Sequence, residues 1–146
     1  MDTLEISNKF HKQLDDLIKL HIEYRKTSFL REVEISMSPV AFAMECGTVK
    51  CDIGRQTGKT EYIRRYADSE SLVIVSTKNE AGEYAGSDFD VFSVMQIMDN
   101  KVRKKSFYKM IYIEEPTLVF RKVEANSLYG ELVDKYQQQV FVQLGT

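Results

Sequence analysis

A glycine-bounded turn, Gly54-Arg55-Gln56-Thr57-Gly58, followed directly by Lys59-Thr60, constrains this chain more than any other segment. Val49, Cys51 and Ile53 lead into it as a short strand-like run, and residues 60–66 (TEYIRRY) leave it as a helical one. A strand, a tight turn and a helix in that order aim backbone N–H groups and the positive end of a helix dipole at one point. That is how a phosphate cradle is built. Gly58 permits close backbone approach, Lys59 is placed to reach the β- and γ-phosphates, and the Thr60 hydroxyl to hold Mg²⁺. Gly54, Gln56 and Thr57 are read as the remainder of the cradle. The common spacing G-x-x-x-x-G-K-[ST] would put its first glycine at Ile53, so Gly54 lies one residue late. The alternative is a plain Gly-rich turn with an exposed lysine, and a second element has to decide.

That element is Lys109-Met110-Ile111-Tyr112-Ile113-Glu114-Glu115-Pro116, a mostly apolar run ending in two carboxylates. It reads as a buried parallel strand with acids at its C-terminal edge. Ligands of open α/β sheets sit outside the carboxyl ends of the strands, which puts Glu114 and Glu115 in the same crevice as the turn. By position, Glu114 is the candidate Mg²⁺ ligand, directly or through water, and Glu115 the group that orients and deprotonates a water.

The rest of the pattern is that of one α/β unit. Residues 4–24 carry Phe10, Leu14, Leu17, Ile18, His21 and Tyr24 at three- and four-residue spacing, the mark of an amphipathic helix. Ser38-Pro39 starts a short helix that Gly47 ends. Residues 72–75 (LVIV) form a strand covered on both faces, followed by a loop containing Gly82 and Gly86. Strands are expected at 90–97 and 110–113, a helix at 124–136 and a last strand at 139–143. About five strands with helices between them indicate a parallel sheet, with residues 1–37 as a helical extension and 38–146 as the core.

Composition narrows the classes. With 43% apolar and 29% charged residues, two prolines and seven glycines, neither disorder nor low complexity is expected. Cys46 and Cys51 are too few for a disulfide scaffold and lack partners for a zinc site, so a reduced, cytoplasmic setting is expected. No apolar run approaches a membrane span. A net charge of −2 gives no global attraction to nucleic acid, which leaves a local candidate, Lys101, Arg103, Lys104, Lys105 and Lys109, interleaved with Phe107 and Tyr108, with a plain solvated loop as the alternative. His11 and His21 are ten residues apart, not the i, i+4 spacing of a metal pair, and are read as a surface residue and a helix-face residue. Cys51 is read as an inert thiol on the Val49 face of the first strand.

Four of these segments carry a resemblance. Gly54 to Thr60 resembles the variant phosphate loop of the large terminase subunits of tailed phages, in which a small residue, Arg, Gln and one further residue precede Gly-Lys-Thr. Val73-Ile74-Val75-Ser76-Thr77-Lys78-Asn79-Glu80-Ala81 is similar to the segment after the second core strand in terminases and in superfamily 1 and 2 helicases. Ile111 to Glu115 resembles their acidic strand, and Gln143-Leu144-Gly145-Thr146 their coupling motif. The resemblance covers roughly residues 38–146. It implies a RecA-like P-loop ATPase core of the type with an additional strand and a catalytic glutamate, using ATP or another nucleoside triphosphate and Mg²⁺. By that likeness Lys59 and Thr60 bind phosphate and metal, Arg55 senses or stabilises the γ-phosphate, Glu115 polarises water, and Gly145-Thr146 relay nucleotide state. Glu114 stands where the aspartate supporting Mg²⁺ is usual, and no glutamine stands upstream in the place that reads adenine.

The sequence ends at the coupling motif, so a lone core is expected, without a second helicase lobe or a nuclease domain. The leading expectation is a weakly hydrolysing ATPase of phage type, working in DNA metabolism or packaging. A regulatory or inhibitor module that binds nucleotide and acts on a partner protein is the alternative, and a small nucleoside or nucleotide kinase a further one. Self-association or docking on a larger partner is expected, with the first helix, which could equally just cover its own sheet, or the Lys101 to Lys109 loop as the contact surface.

Overall fold

A computed structural model describes residues 3–52, 58–133 and 139–145. The elements in chain order are α1 (Thr3–Arg25), α2 (Ser28–Ser36), α3 (Pro39–Glu45), β1 (Thr48–Cys51), α4 (Lys59–Tyr66), β2 (Ser71–Val75) and α5 (Lys78–Gly82). They continue as β3 (Asp90–Ser93), α6 (Val94–Met98), β4 (Met110–Glu114), α7 (Pro116–Lys122), α8 (Ala125–Leu132) and β5 (Val140–Leu144).

All strand pairs are parallel, and the five strands lie in the order β1-β5-β4-β2-β3. β5, last in sequence, therefore inserts between the strand that precedes Gly58-Lys59-Thr60 and the strand that ends in the two acids. Every residue of β2 is buried, as the apolar run Leu72 to Val75 in a doubly covered sheet requires. Alternation then divides the core. Val73 and Val75 join Val49, Tyr112 and Val142 under α1 and α4, through Leu14, Ile18, Tyr62 and Ile63. Leu72 and Ile74 join Ile111, Ile113 and Phe141 under the opposite layer, which supplies Ala43, Val94, Val119, Leu128 and Tyr129. Phe141 is fully buried and stacks on Tyr129 at 4.3 Å between ring centroids. Phe141→Ala should cost about 3–5 kcal/mol in urea unfolding, because the stacked ring leaves a cavity in a rigid layer.

Local signals explain the helix ends. The Ser38 hydroxyl accepts from the Ala41 N–H at 3.2 Å, with Pro39 in the first turn of α3 as expected. The strand expected over 90–97 is shorter. It stops at Ser93, whose hydroxyl accepts from the Gln96 N–H while the Gln96 side chain accepts from the Ser93 N–H, and this capping box starts α6. The segment read as loop after β2 begins with α5, capped by Thr77. α2 and α7 were not anticipated as elements, although Pro116 in the first turn of α7 is the usual start signal. The helix expected over 124–136 is α8 from Ala125, and residues 134–138 lie outside those described.

The buried side of α1 differs from the expected one. Leu14 and Ile18 are buried as expected, but His11 completes the row, while Phe10, Leu17 and Tyr24 are 38%, 46% and 54% exposed. The apolar residues of α1 span a wider arc than one sheet contact can cover. The docked arc is the one that sets His11 edge-on against Tyr62, ring centroids 5.6 Å apart. Cys51 is half-buried on the Val49 face, and burial followed by the nearby Asp52 pushes its thiol pKa up. No helix among the described residues is long and apolar enough to cross a membrane.

Candidate functional site

Register places the chemistry on one sheet edge. Cys51 pairs with Leu144 and Leu144 with Glu114, so the C-terminal ends of β1, β5 and β4 are level. Chain directions reverse just past that row. Gly58 caps α4 with φ +79°, a left-handed conformation natural to glycine, and Lys59 and Thr60 form the first helical turn. Glu115 follows β4 with φ +54°, an uncommon conformation for a side-chain-bearing residue that costs on the order of 1 kcal/mol or more. Its N–H donates to Leu144 O at 2.9 Å and Pro116 starts α7 immediately, so the bend is fixed on both sides.

The two bends bring together residues more than fifty positions apart. The Lys59 ammonium is paired with the Glu115 carboxylate, their side chains only 10% and 29% exposed. The Thr60 hydroxyl donates to Glu114 Oε1 at 2.9 Å. The other Glu114 oxygen accepts from the Tyr84 hydroxyl at 2.5 Å. Burial first, and then the bond to Glu114, push the Tyr84 phenol pKa well up, so the hydroxyl stays a donor. Its ring is held edge-on to Phe89 at 5.9 Å, with the Arg64 guanidinium 5.6 Å from the ring centroid.

Gly145 closes the group from the side of β5. Its N–H donates to Cys51 O at 2.9 Å and its φ is +109°. A Cβ there would stand 2.9 Å from Glu115 Oε2 and 3.2 Å from Lys59 Nζ. Gly145→Ala should therefore displace the Glu115 carboxylate as well as strain the backbone. The expected loss is about 1–3 kcal/mol of stability in urea unfolding.

Of the remaining expected site residues, Gly54, Arg55, Gln56, Thr57 and Thr146 lie outside the described residues. The basic cluster lies elsewhere in the fold. Lys101, Arg103, Lys104, Lys105 and Lys109 precede β4, at the end of the sheet opposite Glu114, roughly 16 Å of strand away. Tyr108 is buried and donates to Asp90 at 2.6 Å, so it is not available for stacking. Lys101 sits 3.8 Å from Asp99, and Lys105 donates to Ser69 O at 2.6 Å. Phe107, 39% exposed, is the aromatic left at the surface of this loop.

Two residues at the site were not anticipated. Tyr84 comes from the segment read as loop, where nothing in the sequence links it to Glu114. His11, read as a surface residue, is 4% exposed, and its Nε2 lies 3.1 Å from Gly58 O. Only the i, i+3, i+7 row His11, Leu14, Ile18 hinted at its burial.

The donors suit a small hard cation. A hydroxyl and a carboxylate oxygen 2.9 Å apart, Thr60 and Glu114, match Mg²⁺, which takes few protein ligands and completes its octahedron with phosphate and water. No cluster of three or more His, Cys, Asp or Glu fit to hold a metal by itself occurs among the described residues. A cleft of about 600 Å³ opens beside Gly145, lined among others by Lys50, Asp52, Thr117 and Arg121. No family model matches the sequence, and no curated protein or solved structure matches it.

Proposed function

We propose that the chain binds a nucleoside triphosphate with Mg²⁺ and hydrolyses it slowly, as a small P-loop NTPase. One observation carries the reading: Lys59 and Thr60, at the start of a helix after a left-handed glycine, meet Glu115 and Glu114 pairwise at the C-terminal edge of a parallel sheet. A lysine, a hydroxyl and two acids in that order are what triphosphate hydrolysis needs. The position of β5 between β1 and β4 supports the additional-strand type of core, and the likeness of the four motifs to terminases and helicases points the same way.

The residues divide the work as follows. Lys59 leaves Glu115 for the β- and γ-phosphate oxygens, and the N–H groups opening α4 add their partial charge. That exchange frees the Glu115 carboxylate, which then orients a water and takes its proton. Thr60 and Glu114 would hold Mg²⁺, with Tyr84 fixing the second Glu114 oxygen. The chemistry supplied by the bound cation is neutralisation of charge on the phosphate oxygens. Slow turnover is expected because Glu114 stands where an aspartate is usual, and its extra methylene shifts a cation that demands near-ideal octahedral geometry.

Displacement of a fluorescent ATP analogue tests the proposal. ATP with Mg²⁺ should displace the analogue and AMP should not, because Lys59, Thr60 and Glu114 address the β- and γ-phosphates and their cation. Displacement by AMP as effective as by ATP would point to a base or ribose site instead.

A further inference from the structure

The buried imidazole of His11 takes no part in the scheme above, yet it touches the cradle. Its Nε2 lies 3.1 Å from Gly58 O and 3.4 Å from Ser7 Oγ. A carbonyl only accepts, so Nε2 carries the proton and donates to it. Nδ1 is buried, with no hydrogen-bond partner among the described residues.

Gly58 O and the Lys59 N–H belong to one planar peptide unit, pointing in opposite directions. The carbonyl side is held twice, by His11 Nε2–H and by the Tyr62 N–H at 2.8 Å. The N–H side opens α4, where no intrahelical acceptor exists, and is a donor for the ligand. A hydrogen bond to the carbonyl also polarises the peptide and strengthens its N–H as a donor. Glycine at 58, free to rotate, needs such a restraint more than any other residue would.

We propose that His11 is a positioning residue for the phosphate cradle, fixing the Gly58–Lys59 peptide so that the Lys59 N–H faces the phosphates. This rests on the nucleotide-binding reading and makes α1 part of the site. It also couples the two reciprocally: a bound triphosphate should tighten the docking of α1.

Two variants separate positioning from bulk. His11→Leu fills the space without a donor, and His11→Gln carries an N–H at about the same reach. Calorimetry with Mg·ATP, on protein shown to be folded by circular dichroism, should give affinity about tenfold weaker for His11→Leu and within about threefold of wild type for His11→Gln. Wild-type affinity in His11→Leu, or equal losses in the two variants, would overturn the proposal while leaving nucleotide binding intact. A wild type that binds no ATP would instead remove the nucleotide reading itself. If His11→Leu does not fold, folded His11→Gln decides alone, since a loss of about tenfold or more there contradicts a role carried by the donor.

Discussion

Glu115→Gln should turn ATP over about 10² to 10⁴ times more slowly than wild type, the usual contribution of a positioned general base. It should also bind ATP at least as tightly. The second expectation follows from the ion pair with Lys59. In the free protein the ammonium is already engaged by a carboxylate, and phosphate has to compete for it. An amide at 115 can still accept a hydrogen bond but carries no charge, so the competition weakens and affinity should rise, by about tenfold at most for a partly exposed pair. Phosphate release and calorimetry on the same preparation check both halves. If Glu115→Gln hydrolyses like wild type and only Glu114→Gln is inactive, the roles of the two acids are exchanged.

Lys59→Ala should lower ATP affinity by about 100-fold or more. It removes the charged donor for the phosphates, worth about 1.5–3 kcal/mol as a charge-assisted hydrogen bond. It also leaves the Glu115 carboxylate without its counter-charge beside an incoming polyanion. The two effects are separable. Lys59→Ala combined with Glu115→Gln should bind ATP better than Lys59→Ala alone, because the repulsion is gone, and such non-additivity is expected of groups in direct contact. Displacement of the fluorescent analogue measures all four proteins. Equal binding by Lys59→Ala and wild type would show that Lys59 is only a structural partner of Glu115.

Most of the strands, and the placing of the two acids on the sheet edge that also carries Lys59, were legible because each depends on short-range pattern. Leu72 to Val75 admits little but a covered strand, and acids closing an apolar strand fall at the edge where Gly58-Lys59-Thr60 also lies. What was missed depends on competition or on distance in sequence. Residues 90–97 are apolar enough for one long strand, but Ser93 and Gln96 form a box that makes a helix cheaper from Val94 on. The side of α1 that docks could not be read from its apolar spacing, since Phe10, Leu17 and Tyr24 fit a helix face as well as Leu14 and Ile18 do. Tyr84 and His11 are tied to Glu114 and Gly58 across 30 and 47 positions, by contacts that exist only once the sheet is assembled. Tyr108, read in one dimension as a surface aromatic of the basic loop, is buried by the fold, and the loop lies at the end of β4 away from Glu114.

On the proposed function, Lys59, Thr60, Glu114 and Glu115 form one triphosphate site. Calorimetric titration of the wild-type chain with ATP, with Mg²⁺ and with the Mg²⁺ removed by chelator, tests it most directly. Wild type should show saturable single-site binding that tightens with Mg²⁺ and weakens about 100-fold or more in Lys59→Ala. No saturable binding in the wild type, or the same isotherm in Lys59→Ala, would contradict it.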